Sequence, residues 1–171
     1  VDKDKYSVKV SSKIKNSSME DIKASCVATL SFKGEKVGET KSSLLATSNS
    51  TTDFSSIVDV DNPHLWSPET PHLYDVKIEI KDDKGKIVDT YREIFGIRKI
   101  EYNAIDGLKL NGKSIKLNGG CVHHDNGILG AAAFDRAEVR RVEMLKEAGF
   151  NAVRTSHNLP SEAFLYACDS L

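Results

Sequence analysis

Residues 74–91 read YDVKIEIKDDKGKIVDTY. Apolar and polar side chains alternate through residues 74–80 and again through residues 87–91, which is the period of a strand that is buried on one face. Residues 82–85, which lie between the two runs, form the turn-rich sequence Asp-Asp-Lys-Gly. This stretch therefore predicts a β-hairpin.

The same alternation extends through the first hundred residues. Runs such as residues 6–10 and 22–30 are separated by turn signals, which occur at residues 16–18, 33–35, 49–50 and 61–63. About seven strands at this spacing, with no helix among them, predict an immunoglobulin-like β-sandwich. An eight-stranded barrel is the alternative.

The pattern changes after Glu101, where glycine clusters appear. We expect a domain boundary here, with the β-sandwich in residues 1–102 and a second segment in residues 103–171. Asn111-Gly112 lies between two short alternating runs, which is a strong hairpin signal. The second strand of this hairpin is predicted to continue through Val122.

Helical periodicity begins at Asp135. Asp135 is predicted to be the N-cap, with Glu138 completing a capping box, and Gly149 suits the position just after the helix C-terminus. A short strand over residues 150–154 and a helix from Pro160 to about residue 169 are expected to follow. This order is the beginning of a parallel α/β layer, in either a closed barrel or an open sheet.

Composition excludes several classes of protein. The 171 residues carry a net charge of −1, so nothing in the charge balance supports a nucleic-acid partner. No apolar run approaches the roughly 20 residues that span a bilayer, and we expect no membrane partner. The three cysteines are widely spaced and predict neither a disulfide framework nor a metal knuckle. Because the chain starts at Val1 and ends within a predicted helix, we expect a piece of a longer protein.

Two polar clusters follow the predicted strands of the second segment. They are residues 121–125, Cys-Val-His-His-Asp, and residues 154–158, Arg-Thr-Ser-His-Asn. The carboxyl ends of adjacent parallel strands meet at the same edge of a sheet, which is where α/β proteins keep their active sites. We therefore expect the two clusters to be neighbours in space.

Other chemistries fit these clusters poorly. His123 and His124 are adjacent on a strand and point to opposite faces, which argues against a metal site built from them with Asp125 and His157. No GxSxG turn presents Ser156 as a nucleophile. The spacing of the glycines matches neither the Walker motif nor the GxGxxG motif, which are the two glycine-rich patterns that bind phosphate groups. No cofactor is expected.

Four ordered blocks of sequence resemble glycoside hydrolase family 2, which includes β-galactosidases, β-glucuronidases and β-mannosidases. The blocks are residues 62–74 (NPHLWSPETPHLY), 95–101 (FGIRKIE), 110–119 (LNGKSIKLNG) and 149–157 (GFNAVRTSH). The resemblance implies an immunoglobulin-like sandwich followed by the first part of a (β/α)8 catalytic barrel. Trp66 of the first block is expected to bury its ring near the edge of the sandwich.

The chemistry that this resemblance implies is retaining hydrolysis of a β-glycosidic bond by two carboxylates. In the family both catalytic glutamates come from later barrel strands, so we expect a fragment of an O-glycosyl hydrolase that is inactive by itself. A β-galactosidase-like parent is the expected enzyme. The alternative is a non-catalytic carbohydrate-binding or scaffold module.

The resemblance also implies roles for residues within the chain. His123 and His157 match histidines that bind substrate, and Arg154 matches an arginine that supports the nucleophile. His124 and Asp125 are further candidates. The expected partners are a carbohydrate substrate and, for the parent protein, other copies of itself in a homo-oligomer. Periplasmic, secreted and cytoplasmic bacterial locations all stay open.

Overall fold

The computed structural model describes residues 5–171, which divide into two compact units. The first unit contains the chain up to His64 together with Tyr74–Phe95. The second unit contains Leu65–Leu73 together with Gly96–Leu171. A nine-residue segment of the second unit thus precedes the last two strands of the first.

The first unit consists of two antiparallel sheets. One sheet pairs β1 with β4, and the other has the strand order β3-β2-β5-β6. The predicted hairpin is confirmed, since β5 and β6 pair with Ile78 opposite Tyr91. The strands are β1 (Lys5–Asn16), β2 (Ile22–Phe32), β3 (Glu35–Ala46), β4 (Ser50–Asp61), β5 (Tyr74–Lys81) and β6 (Ile87–Phe95).

The core of the first unit follows from the alternation of side chains along its strands. Cys26, Ala28 and Leu30 project from one face of β2 and are fully buried. Gly38 on β3 pairs with Leu30. A Cβ atom on Gly38 would lie 2.5 Å from Cγ1 of Val58 on β4. The missing side chain at Gly38 lets the two sheets approach, and together they form the predicted β-sandwich.

The second unit combines short strands with two helices. Strands β7, β8 and β9 form an antiparallel sheet, and β10 pairs with β11 in parallel. The elements are β7 (Ile100–Asn103), β8 (Gly107–Leu110), β9 (Lys113–Ser114), β10 (Gly119–Val122), a 3₁₀ turn (Gly127–Leu129), α1 (Asp135–Glu147), β11 (Ala152–Thr155) and α2 (Glu162–Ser170).

The hairpin at Asn111-Gly112 is confirmed, but its second strand is shorter than predicted. β9 ends at Ser114, and β10 is a separate strand that pairs with β11. Asn151 holds the start of this new pair, because its carboxamide accepts from the Asn118 amide (2.8 Å) and donates to the Lys116 carbonyl (2.9 Å). The parallel partner, which is distant in sequence, decides where β10 begins.

The two ends of α1 differ in how well they were predicted. Gly149 follows the helix with a φ of +85°, as expected for a left-handed terminating residue. The predicted capping box at the other end is wrong. Phe134 is the N-cap and makes no side-chain cap, Asp135 is already helical, and the Glu138 carboxylate accepts a hydrogen bond from Asn126 instead.

Helices α1 and α2 pack over the outer side of the β10-β11 pair. Their shared core consists of Val142, Phe164 and Ala167, and the strands contribute Val122 and Val153 to its margin. The Ser161 hydroxyl caps α2 by accepting from the Phe164 amide. Neither helix of residues 5–171 has the length and apolar character that crossing a membrane requires.

Trp66, which is predicted to lie near the sandwich edge, makes its contacts within the second unit. Its amide donates to the Ile97 carbonyl at 2.8 Å. A Cβ on Gly96 would lie 2.7 Å from the indole, so only glycine permits this contact. The Arg98 guanidinium stacks over the ring at 4.6 Å. Trp66 is thus held by residues 96–98, which lie outside its own sequence block of residues 62–74.

Candidate active-site edge

The β10-β11 pair brings the two predicted clusters together. The strands run in parallel with Cys121 opposite Arg154 and Val122 opposite Thr155, so the loops that follow leave the same edge. At that edge the rings of His123 and His157 lie 5.7 Å apart between centroids, at an angle of 33°. The expected proximity of the two clusters is confirmed. Both histidines are exposed and accessible to a ligand.

The backbone at His157 adopts an uncommon conformation. Its φ is +68°, in the left-handed region that residues with a Cβ seldom occupy. Just before it, the Ser156 amide donates to the Val122 carbonyl at 2.9 Å and extends the strand pairing by one residue. The chain therefore turns sharply at the histidine while its neighbour stays fixed, and such strain is often found at functional sites.

Arg154 lies on β11 opposite Cys121, three residues before His157. Its Nη1 donates to the Sγ atom of Cys121 across the strand pair, at 3.5 Å. The Ser156 hydroxyl, and then the Arg154 guanidinium, lower the pKa of the Cys121 thiol. The positive charge of Arg154 therefore lies beside the ionisable thiol of Cys121 on the β10-β11 pair.

The two further candidates, His124 and Asp125, are exposed. The Asp125 carboxylate accepts from the Gly127 amide at 3.1 Å and so helps to shape the loop after β10. Within residues 5–171 no three His, Cys, Asp or Glu side chains are grouped as a metal site would require. The structure thus brings together His123 and His157 but does not assemble the four-residue metal set.

Sequence reasoning missed the residue that holds this loop. Arg141 of α1 donates to the His123 carbonyl (2.8 Å), the Asp125 carbonyl (2.5 Å) and the side chain of Asn126 (2.6 Å). Its guanidinium also lies 3.9 Å from the buried Glu138 carboxylate. The i,i+3 spacing of Glu138 and Arg141 signals an ion pair, but no sequence pattern reveals hydrogen bonds to distant carbonyl groups.

Comparison with known proteins identifies the family. The model of glycosyl hydrolases family 2 matches residues 1–98, and the model of the family 2 TIM barrel domain matches residues 103–171. The chain belongs to glycosyl hydrolases family 2. Its architecture is accordingly that family's β-sandwich followed by the start of a TIM barrel, and the resemblance seen in the sequence is confirmed.

Individual family 2 proteins match closely over a limited region. Over 146 residues the chain is 38% identical to β-galactosidase BoGH2A of Bacteroides ovatus, covering 85% of the chain and 17% of that protein. A crystal structure of a family 2 member from Bacteroides cellulosilyticus is 43% identical, with a TM-score of 0.93 over 97% of the chain and 23% of that structure.

β-Glucuronidases are also similar to the chain. The crystal structure of Bacteroides uniformis β-glucuronidase is 29% identical, with a TM-score of 0.90 over 97% of the chain and 20% of that structure. The chain thus spans about a fifth of the length of the family 2 proteins named here. Proteins named β-galactosidase and β-glucuronidase therefore both match this region.

Proposed function

We propose that the chain is part of a retaining β-glycosidase, of the β-galactosidase type, and forms the sugar-binding edge of its catalytic barrel. In this proposal His123 and His157 bind the sugar that is released, and Arg154 supports the catalytic nucleophile. The observation that carries the proposal is the pairing of His123 with His157, 5.7 Å apart, at one end of two parallel strands of a family 2 barrel.

The chemistry of the paired histidines suits a sugar ligand. Each neutral imidazole carries one hydrogen-bond donor and one acceptor, so the two rings can contact adjacent hydroxyl groups of one ring. Both rings are exposed at the strand edge. Donors that are held in place by the fold also stabilise charge that develops at the sugar in the transition state. His124 and Asp125, on the same loop, are further candidates for hydroxyl contacts.

Arg154 supplies the electrostatic part of the proposal. A guanidinium carries its positive charge at any pH at which the enzyme works. A carboxylate nucleophile placed beside it would have its pKa lowered and would stay ionised. Arg154 projects on the inner side of the strand pair, opposite the side that packs against the helices, as its contact with Cys121 indicates.

The catalytic carboxylates are proposed to come from outside these 171 residues. Retaining hydrolysis needs two of them about 5 Å apart on either side of the bond. Of the carboxylates on α1, Glu138 pairs with Asn126 and Arg141, and Glu143 pairs with Arg136. The chain alone is therefore expected to be inactive.

The choice of galactose is supported by the relatives. The β-galactosidase from Bacteroides ovatus matches 85% of the chain, whereas a putative β-glucuronidase from Formosa agariphila matches 67% at the same 38% identity. A non-catalytic carbohydrate-binding or scaffold module is the competing proposal. A carbohydrate-binding module differs from our proposal in that residues 1–171 would bind the sugar without the rest of a barrel.

A chimera tests the proposed function directly. Residues 1–171 would replace the matching region of the 43% identical family 2 protein from Bacteroides cellulosilyticus. The chimera is expected to hydrolyse an aryl β-galactoside. His123→Ala and His157→Ala are expected to lower kcat/KM by about 10²-fold or more, whereas Lys116→Ala, an exposed control, changes it little.

Two results would contradict the proposal. Full activity in both histidine variants of an active chimera would remove the proposed sugar contacts. Saturable binding of a galactoside by residues 1–171 alone, at millimolar concentration or below, would favour the module. Binding is measured by NMR titration of the histidine ring signals, with a mannoside as the comparison sugar.

A further inference from the structure

The pairing of β10 with β11 ends one residue before His123. The last register pair is Val122 with Thr155, and the Val122 carbonyl accepts a further inter-strand hydrogen bond from the Ser156 amide at 2.9 Å. Sheet hydrogen bonds therefore fix the backbone next to His157. The His123 carbonyl lies beyond this pairing, so another contact has to hold the backbone from which the His123 ring projects.

Helix α1 supplies that contact. The Arg141 guanidinium donates to the His123 carbonyl at 2.8 Å, and the Asp125 amide donates to the same oxygen, also at 2.8 Å. Hydrogen bonds from a charged donor are about twice as strong as neutral ones. This one holds the peptide group that follows the Cα atom of His123. The Arg141 side chain is only 15% exposed, so little water competes for its donors.

Two further side chains hold Arg141 in place. Asn126 accepts from Nη2 of the guanidinium at 2.6 Å and donates to the Glu138 carboxylate at 3.1 Å. That carboxylate is buried and lies 3.9 Å from Nη1 of Arg141. Because a buried carboxylate without a cation is strongly destabilising, its burial favours one position of the guanidinium. We call Asn126, Glu138 and Arg141 the loop clamp.

The loop clamp connects the packing of the helices to the candidate site. Val142, which follows Arg141, belongs to the core that α1 shares with α2. A shift of α1 would disturb that close-packed core, so the position of Arg141 is fixed with it. The 5.7 Å separation of the His123 and His157 rings thus depends on two separate contacts, the strand pairing on one side and α1 on the other.

We propose that Arg141 is a positioning residue for glycoside hydrolysis, which acts by fixing the His123 ring relative to His157 and the sugar. This inference rests on the proposed function, in which both rings bind the released sugar. Arg141 itself touches no substrate in this proposal, because its donors are directed at backbone carbonyl groups and at Asn126. A displacement of about 1 Å at a reacting site can lower a rate by about a hundredfold. A contact on the helix side of the loop can therefore affect the reaction.

The test is a double-mutant cycle in the chimera of residues 1–171 with the family 2 protein from Bacteroides cellulosilyticus. Arg141→Met is expected to lower kcat/KM for an aryl β-galactoside by about tenfold or more. In a chimera that already carries His123→Ala, the same substitution is expected to change kcat/KM by less than about twofold, because the ring that it positions is gone. A merely structural role would lower kcat/KM by the same factor in both backgrounds.

Two further variants support the cycle. Arg136→Met removes an exposed cation and its ion pair with Glu143 from the same helix, and it is expected to change kcat/KM little in either background. Asn126→Ala is a milder change in case Arg141→Met does not fold, since it removes the bridge between Arg141 and Glu138 and leaves α1 intact. It is expected to lower kcat/KM by about threefold or more, and this loss should also vanish with His123→Ala.

Crystal structures of the chimera with and without Arg141→Met measure the separation of the two rings, which is expected to increase. Equal losses of kcat/KM with and without His123, or an unchanged ring separation, would overturn the positioning role and leave the proposed function standing. An active chimera in which His123→Ala has no effect would instead overturn the proposed function, and the role of Arg141 with it.

Discussion

The indole N–H of Trp66 donates a 2.7 Å hydrogen bond to the main-chain carbonyl of Asp169, 103 residues later in the sequence. Asp169 lies in α2, so this hydrogen bond joins the segment before β5 to the helix. Trp66 therefore anchors α2 through one of its main-chain carbonyl groups. The same residue accepts a hydrogen bond on its own carbonyl from the Asn111 side chain, at 2.9 Å.

Replacement of Trp66 by Phe is expected to destabilise α2. The change removes the hydrogen bond to the Asp169 carbonyl and part of the stacking with Arg98, which together amount to about 1–3 kcal/mol. Hydrogen–deuterium exchange of the α2 amides measures the local loss. Tyr102→Phe, at an exposed position in the same unit, is the matched control. Unchanged protection of α2 in Trp66→Phe would show that the hydrogen bond to Asp169 adds no stability.

Alanine substitutions of the two adjacent glycines at the start of β10 are expected to differ in their effect on stability. A Cβ on Gly119 would lie 2.0 Å from the Ala152 carbonyl oxygen, whereas a Cβ on Gly120 meets nothing within 4 Å. Gly119→Ala is therefore expected to force β10 and β11 apart, at about 1–3 kcal/mol. Gly120→Ala should change the stability by no more than about 0.5 kcal/mol.

Thermal unfolding by circular dichroism compares the two glycine variants. Exchange of the Ser156 amide, which donates to the Val122 carbonyl, reports on the strand pair itself. We expect this amide to lose protection in Gly119→Ala and to keep it in Gly120→Ala. Equal melting temperatures for the two variants would mean that the strands adjust without cost.

Arg141→Met is expected to loosen the loop that carries His123. The variant removes hydrogen bonds to two carbonyl groups and to Asn126, and it leaves the buried Glu138 carboxylate without its nearest cation. The expected cost is about 1–3 kcal/mol. Urea unfolding measures the change in stability, and amide exchange over residues 123–130 measures the change in the loop.

The neighbouring arginine provides a control for the loss of one positive charge. Arg140 is exposed, so Arg140→Met should leave both measurements nearly unchanged. Arg141→Lys keeps the charge but lacks the branched donor geometry, and we expect it to recover only part of the loss. If Arg141→Lys is as stable as the original chain, charge rather than hydrogen bonding holds the loop.

Glu79 in β5 makes the stability of the first unit depend on pH. A hydrogen bond from Lys77 lowers its pKa below the ordinary 4.5, against the opposing effect of burial and with further help from the charges of Lys77 and Lys81. Because the pKa of Glu79 is lower in the folded state, its carboxylate contributes fully to the folding stability at any pH above its pKa in the unfolded chain. This contribution is lost as the pH falls through the lowered folded value.

Glu79→Gln is therefore expected to be less stable than the original chain at pH 6, and the difference should shrink below about pH 4.5. Urea unfolding between pH 6 and pH 3 measures it. Glu35→Gln, at an exposed position in β3, controls for the removal of one carboxylate. A difference that stays constant over this range would assign the effect to packing rather than to ionisation.

Much of the fold was predictable because it rests on local patterns. The hairpin of β5 and β6 follows from alternation on both sides of one turn, and Gly149 marks the end of α1 through its left-handed backbone. The proximity of His123 and His157 was also predictable, because parallel strands that are consecutive in a β/α repeat end at the same edge.

The parts that were missed depend on long-range partners. The capping box at Asp135 is absent because the Glu138 carboxylate bonds to Asn126 instead. Trp66 is predicted to bury its ring near the edge of the sandwich, but its contacts are with residues 96–98 and with Asp169, in the second unit. The hydrogen bonds of Arg141 go to backbone carbonyl groups, which every residue has, so no residue type marks their position.

The sequence by itself determined most of the elements, their order and the polar residues at the two strand ends, because side-chain periodicity and turn chemistry act over a few neighbouring residues. Only the tertiary structure decided the start of β10, the register that sets Cys121 opposite Arg154 and the hydrogen bond from Trp66 to Asp169. These depend on which distant backbone groups meet, and that is fixed when sheets and helices pack.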